Sequence, residues 1–588
     1  MSDSKRAGKV FDRELLGLLL RQAAPYRRRF TITGLLVVGL SGLIWVRPAL
    51  IRRAVDVEIA EGNAEGLLAV FLAVIGVLLV EALLQYRVTY LANWVAESVS
   101  LDLRTKLFRK VMPFKLPFYD TTPVGTLVTR HVSDIDGISN VFSNGILNAV
   151  GDLLALTVVI AAMFWLDWQW ALLALAPIPL LIWATRIFQK AIKKAFVDVR
   201  NQVSRMNEFV QEHVTGMHIV QAFNREAREA DRFSKLNEAH RSANIRSIWA
   251  FSVFFPLVEL LSASSVALLM WFGLGDVLGE RMTLGALLQF ILYVFMLYRP
   301  IRQLADRFNV LQMGIVNSER VFKLLRREDE MADAGQNTSV PFHAAITFED
   351  VWFAYKDEDW VLRGVSFTIA PGNTVAFVGA TGAGKSTVIS LISRFYEPQR
   401  GRITIDGVDL RDIPLDFLRR RVGLVSQEVF LFSDTLRNNV TLYDDSVSDA
   451  ALHEAARAVG ADGFIEQLPQ GWDTEVRERG ASLSVGQRQL IAFMRAYVVK
   501  PAVLVLDEAT SSIDSESERL IQEATRSITQ GRTSLVVAHR LSTVQEADAI
   551  FVFEAGELVE QGTHQDLVKA AGVYSNLFEQ QFTALDAS

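Results

Sequence analysis

Six apolar runs, each long enough or nearly long enough to cross a bilayer as helix, occupy the N-terminal part of the chain: residues 30–50, 66–86, 144–166, 170–188, 254–274 and 284–298. A hydrocarbon core takes about 20 residues of helix, and its lack of water obliges every backbone amide to find a partner inside the span. The last run is the shortest, and the pattern carries its helix past Arg299 and Pro300 into water. Composition agrees with a membrane protein. Of 588 residues, 50% are hydrophobic and 21% charged, against about 25% charge in a typical soluble chain. The formal charge of -6 provides no global basic field for nucleic acid. With no cysteine, disulfides, Cys-ligated zinc, iron–sulfur clusters and thiol nucleophiles are excluded. The opening residues are polar and carry no signal-peptide core.

The connections between runs alternate in length. Those at 56–65, 167–169 and 275–283 are short, whereas 87–143 and 189–253 are long, polar and helix-forming. The long ones hold Arg104, Lys106, Arg109, Lys110, Lys190, Lys193 and Lys194, and Arg27, Arg28, Arg29, Arg302 and Arg307 fall on the same side. The positive-inside rule makes that side cytoplasm, with both termini there; Arg52 and Arg53 sit on the other side but are outnumbered. Before the first run, residues 11–23 have apolar positions at helical spacing with Arg13 and Arg21 between them, which suits an interfacial helix. Residues 326–344 read as a linker, and beyond them apolar strands alternate with amphipathic helices, as in a parallel α/β domain. The expected organisation is therefore a cytoplasmic N-terminus (1–29), an all-α six-span membrane domain with long intracellular helical extensions (30–325), a linker (326–344) and an α/β domain (345–588).

In the α/β part, a short strand runs into Gly379, Ala380, Thr381, Gly382, Ala383, Gly384, Lys385, Ser386 and Thr387, followed by an apolar helix. This is G-x-x-x-x-G-K-[ST] in the strand–loop–helix setting that the motif requires. Glycines let backbone amides close around phosphates, the helix N-terminus adds positive potential, Lys385 reaches the β- and γ-phosphates, and Ser386 offers a hydroxyl to Mg²⁺. A plain glycine-rich turn is the alternative. A second apolar strand ends in Asp507 and Glu508. Carboxylates at a strand's C-terminal edge are costly unless they meet a cation or a site. Beside a phosphate loop, Asp507 would hold Mg²⁺ through water and Glu508 would orient and polarise the attacking water; a solvated strand-end pair is the alternative.

Just upstream, Leu483, Ser484, Val485, Gly486 and Gln487 resemble the signature loop of ATP-binding cassette (ABC) proteins. The resemblance extends over nearly the whole chain. Tyr355 is similar to the aromatic that stacks on adenine, Gln427 to the Q-loop glutamine that touches Mg²⁺, residues 474–480 to an exporter loop before the signature, Ser511, Ser512, Ile513 and Asp514 to the D-loop, and His539 to the switch histidine at the γ-phosphate. Residues 118–125 with Arg130 and Asp134, and Asn207, Glu208, Gly216 and 220–226, resemble the intracellular loops of multidrug-type exporters, which hold short coupling helices. The family implies a type IV exporter fold, a P-loop nucleotide-binding domain with a helical subdomain, and a half-transporter that needs a second chain. Each ATP then lies between one chain's phosphate loop and the other's signature loop, so closure requires ATP and hydrolysis loosens it.

Two features depart from the pattern. Val485 replaces the first glycine of Leu-Ser-Gly-Gly-Gln, and a β-branched residue crowds a loop that must approach phosphate. This resembles one subunit of a bacterial heterodimeric exporter, with a homodimer tolerating the change as the alternative. Glu81 and Glu259 lie inside apolar runs, where they face a cavity or a partner, or snorkel. Phe290, Tyr293, Phe295 and Tyr298 line a pocket for apolar cargo or serve packing and lipid contact. The resemblance thus implies an ATP- and Mg²⁺-dependent exporter of amphipathic compounds in the bacterial cytoplasmic membrane, in contact with lipid and a second half-transporter, with no nucleic-acid partner. A lipid flippase uses the same machinery. An importer has no marker here, and an ATP-gated regulatory subunit would be expected to lack Glu508 or His539, both of which are present.

Overall fold

A computed structural model describes residues 13–579 apart from 332, 334, 336, 339–342, 508–514 and 539–540. The chain divides into two compact units, one made of Met1–Met112 and Pro123–Glu328, the other of Pro113–Thr122 and Asp329–Ser588.

The first unit is helical. Among the described residues, five stretches are long and apolar enough to cross a membrane: Ala24–Ile59, Ala64–Val111, Val124–Leu166, Trp168–Thr215 and Glu226–Leu278. The sixth apolar run opens the helix Leu284–Leu325, which passes through Pro300 for 42 residues, as its polar continuation predicts. Ala64–Val111 has 48 residues. At about 1.5 Å per residue it is more than twice as long as a hydrocarbon core is thick, so its basic C-terminal half extends into water. Local chemistry breaks three of the paths. The first turns at Ile44 and Trp45 before Pro48. The third enters through a π-helical turn, Val141–Ile146. The fourth is interrupted at Ala176 and Pro177, where Pro177 and Pro179 supply no amide hydrogen.

Phe254, Phe290, Tyr293, Leu297 and Tyr298 form a buried core in this unit, while Phe295 is exposed. Phe290 and Tyr298 therefore serve packing, Tyr293 is packed in the same core and also lines a cavity, and the hydroxyl of Tyr298 satisfies itself on Ser265 Oγ at 2.9 Å and on the Leu261 carbonyl at 3.2 Å. Glu81 pairs with Arg47 across helices at 3.6 Å, and its Oε1 is buried without a hydrogen-bond partner among the described residues. Glu259 is exposed on its own helix. At the opposite end of the first span from Arg27–Arg29, the Asp56 carboxylate accepts from Arg52 at 3.2 Å, from Thr283 Oγ1 at 2.5 Å and from the Gly285 amide at 2.7 Å. A carboxylate suits that position because it caps the positive N-terminus of Leu284–Leu325.

Among its described residues the second unit holds twelve strands: β1 (Ile346–Ala354), β2 (Trp360–Ile369), β3 (Thr374–Gly379), β4 (Arg400–Ile405), β5 (Val408–Asp409), β6 (Val422–Val425), β7 (Asp434–Thr435), β8 (Glu475–Val476), β9 (Val503–Asp507), β10 (Thr533–Val537), β11 (Ala549–Glu554) and β12 (Glu557–Gly562). An antiparallel sheet orders β2-β1-β4-β5, a mostly parallel one orders β12-β11-β3-β10-β9-β6, and β7 pairs with β8. The inner strands of the parallel sheet are buried apolar runs, as expected when both faces are covered. One core lies between the two sheets, with Phe348, Phe367, Phe377, Phe551 and Phe553 in it. A second gathers Leu436, Leu452, Ile465, Leu490, Ile491 and Phe493 from short helices between β6 and β9, which is the helical subdomain.

Helix crossings in the first unit depend on missing side chains. A Cβ on Gly314 would lie 1.9 Å from Val141 Cγ2, and one on Gly137 would lie 1.9 Å from Asn317 Nδ2, so the two glycines let these segments touch. Overpacking at such a site costs about 1–3 kcal/mol. Gly314→Val is expected to lower the melting temperature of the detergent-purified protein, whereas Gly76→Val, with nothing within 4 Å of its Cβ position, leaves it unchanged. Equal melting temperatures would show that the crossing is not close-packed.

Candidate functional site

Register in the parallel sheet decides what meets at its carboxyl edge. β10 runs parallel to β3 with Val537 beside Phe377, and parallel to β9 with Val537 beside Asp507. β6 runs parallel to β9 with Val425 beside Leu506. Four neighbouring strands therefore end together, and three of them deliver the phosphate loop from β3, Asp507 from β9 and the turn holding Gln427 from β6. With strands about 4.8 Å apart, the loop and Asp507 lie about 10 Å from each other across the sheet. Ligands of open parallel sheets sit at this edge.

The loop after β3 has the form of a cradle. Gly382 and Gly384 have φ of 86° and 102°, which side chains rarely adopt. A Cβ on Gly379 would lie 2.2 Å from the Phe553 carbonyl oxygen. Ala383 is buried, while Ala380, Thr381, Gly382 and Ser386 face solvent. Lys385 is 7% exposed and donates to the carbonyls of Gly379 at 2.6 Å and Ala380 at 3.0 Å. Burial pushes its pKa down, and the nearby Asp507 carboxylate opposes that shift. A buried ammonium that donates to two carbonyls, at the head of the helix Lys385–Ile392, is arranged to receive an anion. Tyr355, just past β1, is 48% exposed, and its hydroxyl meets Thr387 Oγ1 at 3.1 Å. Its ring stands beside the phosphate loop and is half exposed.

The signature segment begins the helix Val485–Val498. Ser484 Oγ accepts from the Gln487 amide at 3.1 Å, and Gln487 Oε1 accepts from the Ser484 amide at 2.9 Å, which closes a capping box. Leu483 is buried under it. Gly486 is required, since a Cβ there would lie 2.6 Å from Ser517 Cβ. Val485 is different: its backbone is helical and its side chain is 48% exposed, so it fits its own chain without strain. Gln427 is exposed at the end of β6. Glu508, the D-loop residues Ser511, Ser512, Ile513 and Asp514, and His539 lie outside the described residues.

Two arginines escaped the sequence reading. Arg488 Nη1 donates to the carbonyls of Gly480 at 3.2 Å and Leu483 at 2.8 Å, fastening the 474–480 loop to the signature. Arg495 donates to the Phe430 carbonyl at 2.7 Å, to Asn439 Oδ1 at 2.9 Å and to the Asn439 carbonyl. Burial pulls its pKa down to about 10. Spaced seven residues apart, the two share a helix face, a signal the sequence contained. The donor set also fits Mg²⁺: a hydroxyl, a carboxylate and an amide oxygen are hard ligands, and no cluster of three His or acidic side chains occurs among the described residues.

Residues 30–301 match the family described as ABC transporter transmembrane region, and residues 362–511 match the one described as ABC transporter. The chain belongs to the ABC transporter family. It is 35% identical over 98% of its length to an uncharacterised ABC transporter ATP-binding protein, YknV, of Bacillus subtilis, covering 96% of that protein. It is also 35% identical to an ATP-dependent lipid A-core flippase of Syntrophus aciditrophicus, over 96% of this chain and 94% of that one. A solved bacterial Atm1-family ABC exporter with ATP bound superposes with a TM-score of 0.77 and 28% identity, over 94% of this chain and 98% of the other. This ABC exporter binds and hydrolyses ATP to drive export, and it is a multi-pass membrane protein. Half-transporters of this kind dimerise.

Loss of a donor from a buried carbonyl costs about 1–3 kcal/mol. Arg495→Met strips several acceptors at once, so the transporter should melt several degrees lower and lose ATP turnover while keeping ATP binding. A variant with normal melting and turnover would remove Arg495 from this role.

Proposed function

We propose that the edge of the parallel sheet is one half of a composite ATP site, completed by the signature loop of a second chain. The carrying observation is the register that brings the phosphate loop, Asp507 and the Gln427 turn to one edge. In this reading the amides of Gly379–Thr387 and Lys385 bind the phosphates, and Tyr355 stacks on the base. Ser386, Asp507 and Gln427 would hold Mg²⁺, which when bound neutralises phosphate charge. Glu508 orients the attacking water and accepts its proton, His539 contacts the γ-phosphate, and the D-loop Ser511–Asp514 faces the partner. Ser484, Gly486 and Gln487 reach the partner's ATP. We assign 30–325 to the membrane domain and 345–588 to the ATPase domain, with both termini in the cytoplasm and the protein in a bacterial cytoplasmic membrane.

The cargo is an amphipathic compound in this reading. A cavity of about 740 Å³ in the helical unit is lined by apolar residues such as Trp45, Val158 and Trp165, by the aromatic Tyr293, and by the polar Arg52, Asp56 and Gln289. That volume and mixture suit a ligand of drug size. Lipid flipping is the second reading, favoured by the flippase names of relatives from Syntrophus and Desulfotalea.

The exposed Val485 bears on the second chain. It leaves its own capping box intact, so any effect falls on ATP bound by the partner. We propose a heterodimer in which this chain's Lys385, Asp507, Glu508 and His539 form the competent site and the partner carries an unaltered signature but no glutamate after its Walker B aspartate. Glu508→Gln keeps volume while removing the carboxylate. Turnover should fall at least about tenfold, a barrier rise of about 1.4 kcal/mol, with ATP still bound. Lys385→Ala should weaken ATP binding and turnover together, and Tyr355→Ala should raise the KM for ATP through lost stacking. Normal turnover by Glu508→Gln would sink the catalytic assignment. Full activity of this chain purified alone, with two equivalent hydrolysing sites, would sink the heterodimer.

A further inference from the structure

The segment Pro113–Thr122 is joined by chain to the second span on one side and the third on the other, yet it clusters with the nucleotide-binding unit. Its backbone is held there: the Lys115 amide donates to the Asp329 carbonyl at 2.9 Å, and Phe114 forms an antiparallel bridge with Glu330. Phe114 and Phe118 are buried and meet edge to face at 4.9 Å. Its short helix Leu116–Thr121 presents Asp120, whose Oδ2 accepts a hydrogen bond from the hydroxyl of Tyr396. A phenol donating to a carboxylate makes a charge-assisted bond, stronger than one between neutral groups. Burial and the Asp120 carboxylate both raise the Tyr396 pKa, so its proton stays on the phenol across the physiological range.

Tyr396 also belongs to an aromatic cluster at the candidate base site. Its ring stands at 88° to that of Tyr355, with centroids 5.1 Å apart, and at 72° to that of Phe353 at 5.5 Å. Phe353 stands edge-on to Tyr355 as well, at 4.9 Å and 87°. The Tyr355 ring is thus gripped by two edge-to-face contacts and, at its hydroxyl, by Thr387 of the phosphate loop. Two of its restraints come from its own unit's core and loop. The third leads through Tyr396 to a segment that the membrane spans can pull.

We propose that Tyr396 is a positioning residue that couples base stacking on Tyr355 to the seating of the 113–122 segment through its hydrogen bond to Asp120. A stacked base fixes Tyr355, which fixes Tyr396 in the rotamer that reaches Asp120. Conversely, a segment withdrawn by the spans frees Tyr396 and loosens the wall on which the base rests. Linkage makes the two effects reciprocal for binding. The proposal rests on the reading of Tyr355 as the base-stacking residue, which Tyr355→Ala tests separately.

The test uses the full-length transporter in lipid nanodiscs, with Tyr396→Phe, which keeps the ring and deletes the donor, and Asp120→Ala, which deletes the exposed acceptor. Each should raise the KM for MgATP about three- to tenfold, with kcat within about twofold, and the double variant should go no further than the larger single one because one bond is lost. Hydrogen exchange with AMP-PNP should slow at 113–122 in the parent protein. In Tyr396→Phe that slowing should vanish while protection of 379–387 persists. Unchanged KM in both variants, or nucleotide protection of 113–122 retained in Tyr396→Phe, overturns the proposal. Faster exchange at 113–122 without nucleotide, combined with unchanged KM, marks a purely structural contact and overturns it equally.

Discussion

The backbone hydrogen bonds that hold β3, β10, β9 and β6 in parallel register are the constraint on which the nucleotide chemistry depends. Parallel strands end at one edge, so residues far apart in sequence (Gly379, Gln427 and Asp507) arrive at one place without contacting each other through the core. A shift of one residue in β9 would turn Asp507 to the opposite face of the sheet. The buried apolar residues of these strands make that slip expensive, which leaves polar side chains only at the strand ends, where a charged ligand can compensate them.

The helical unit obeys a different solvent. In lipid, the apolar effect does not drive one span against another, so association depends on close contact and on polar pairs. The Asp56 cluster with Arg52, Thr283 and Gly285 supplies a polar latch between the first span and the start of the last, whereas the close contacts at Gly137 and Gly314 fall beyond the apolar runs, where the helices continue into water. Arg47 and Glu81 are a second polar pair. Breaking one partner of such a pair leaves an uncompensated charge, whereas the pair itself adds little net stability.

Much of this was legible in the sequence because its signals are local. Apolar runs of span length, the glycine-lysine loop and the strand ending in two acids each announce themselves within a dozen residues, and all six runs are mainly helical, two of them interrupted at Ile44–Trp45 and at Ala176–Pro177. What escaped depends on backbone geometry or on tertiary contact. The breaks at Ala176 and in the π-helical turn Val141–Ile146 follow from local backbone satisfaction that hydropathy does not register. Arg488 and Arg495 read as ordinary basic residues on an amphipathic helix until the carbonyls they bind are known. Glu81 left open a cavity, a partner or snorkelling, and the Arg47 contact decides for a partner. The burial of Phe290, Tyr293 and Tyr298 likewise needed the packing, because an aromatic run looks the same whether it faces cargo, lipid or core. Glu508, His539 and the D-loop are known from sequence alone.

The central claim is that ATP joins this chain's phosphate loop to the signature loop of a second chain. The chain has no cysteine, so a cross-link between introduced thiols has no background. Ala380→Cys in this chain, in the Glu508→Gln background, is paired with a cysteine at the signature serine of the chain that co-purifies with it, which is Ser484 where that chain is a second copy. Mild oxidation of the full transporter should give a covalent dimer with MgATP and little or none without nucleotide. A cross-link that forms equally without ATP, or fails to form with ATP bound, would contradict the account.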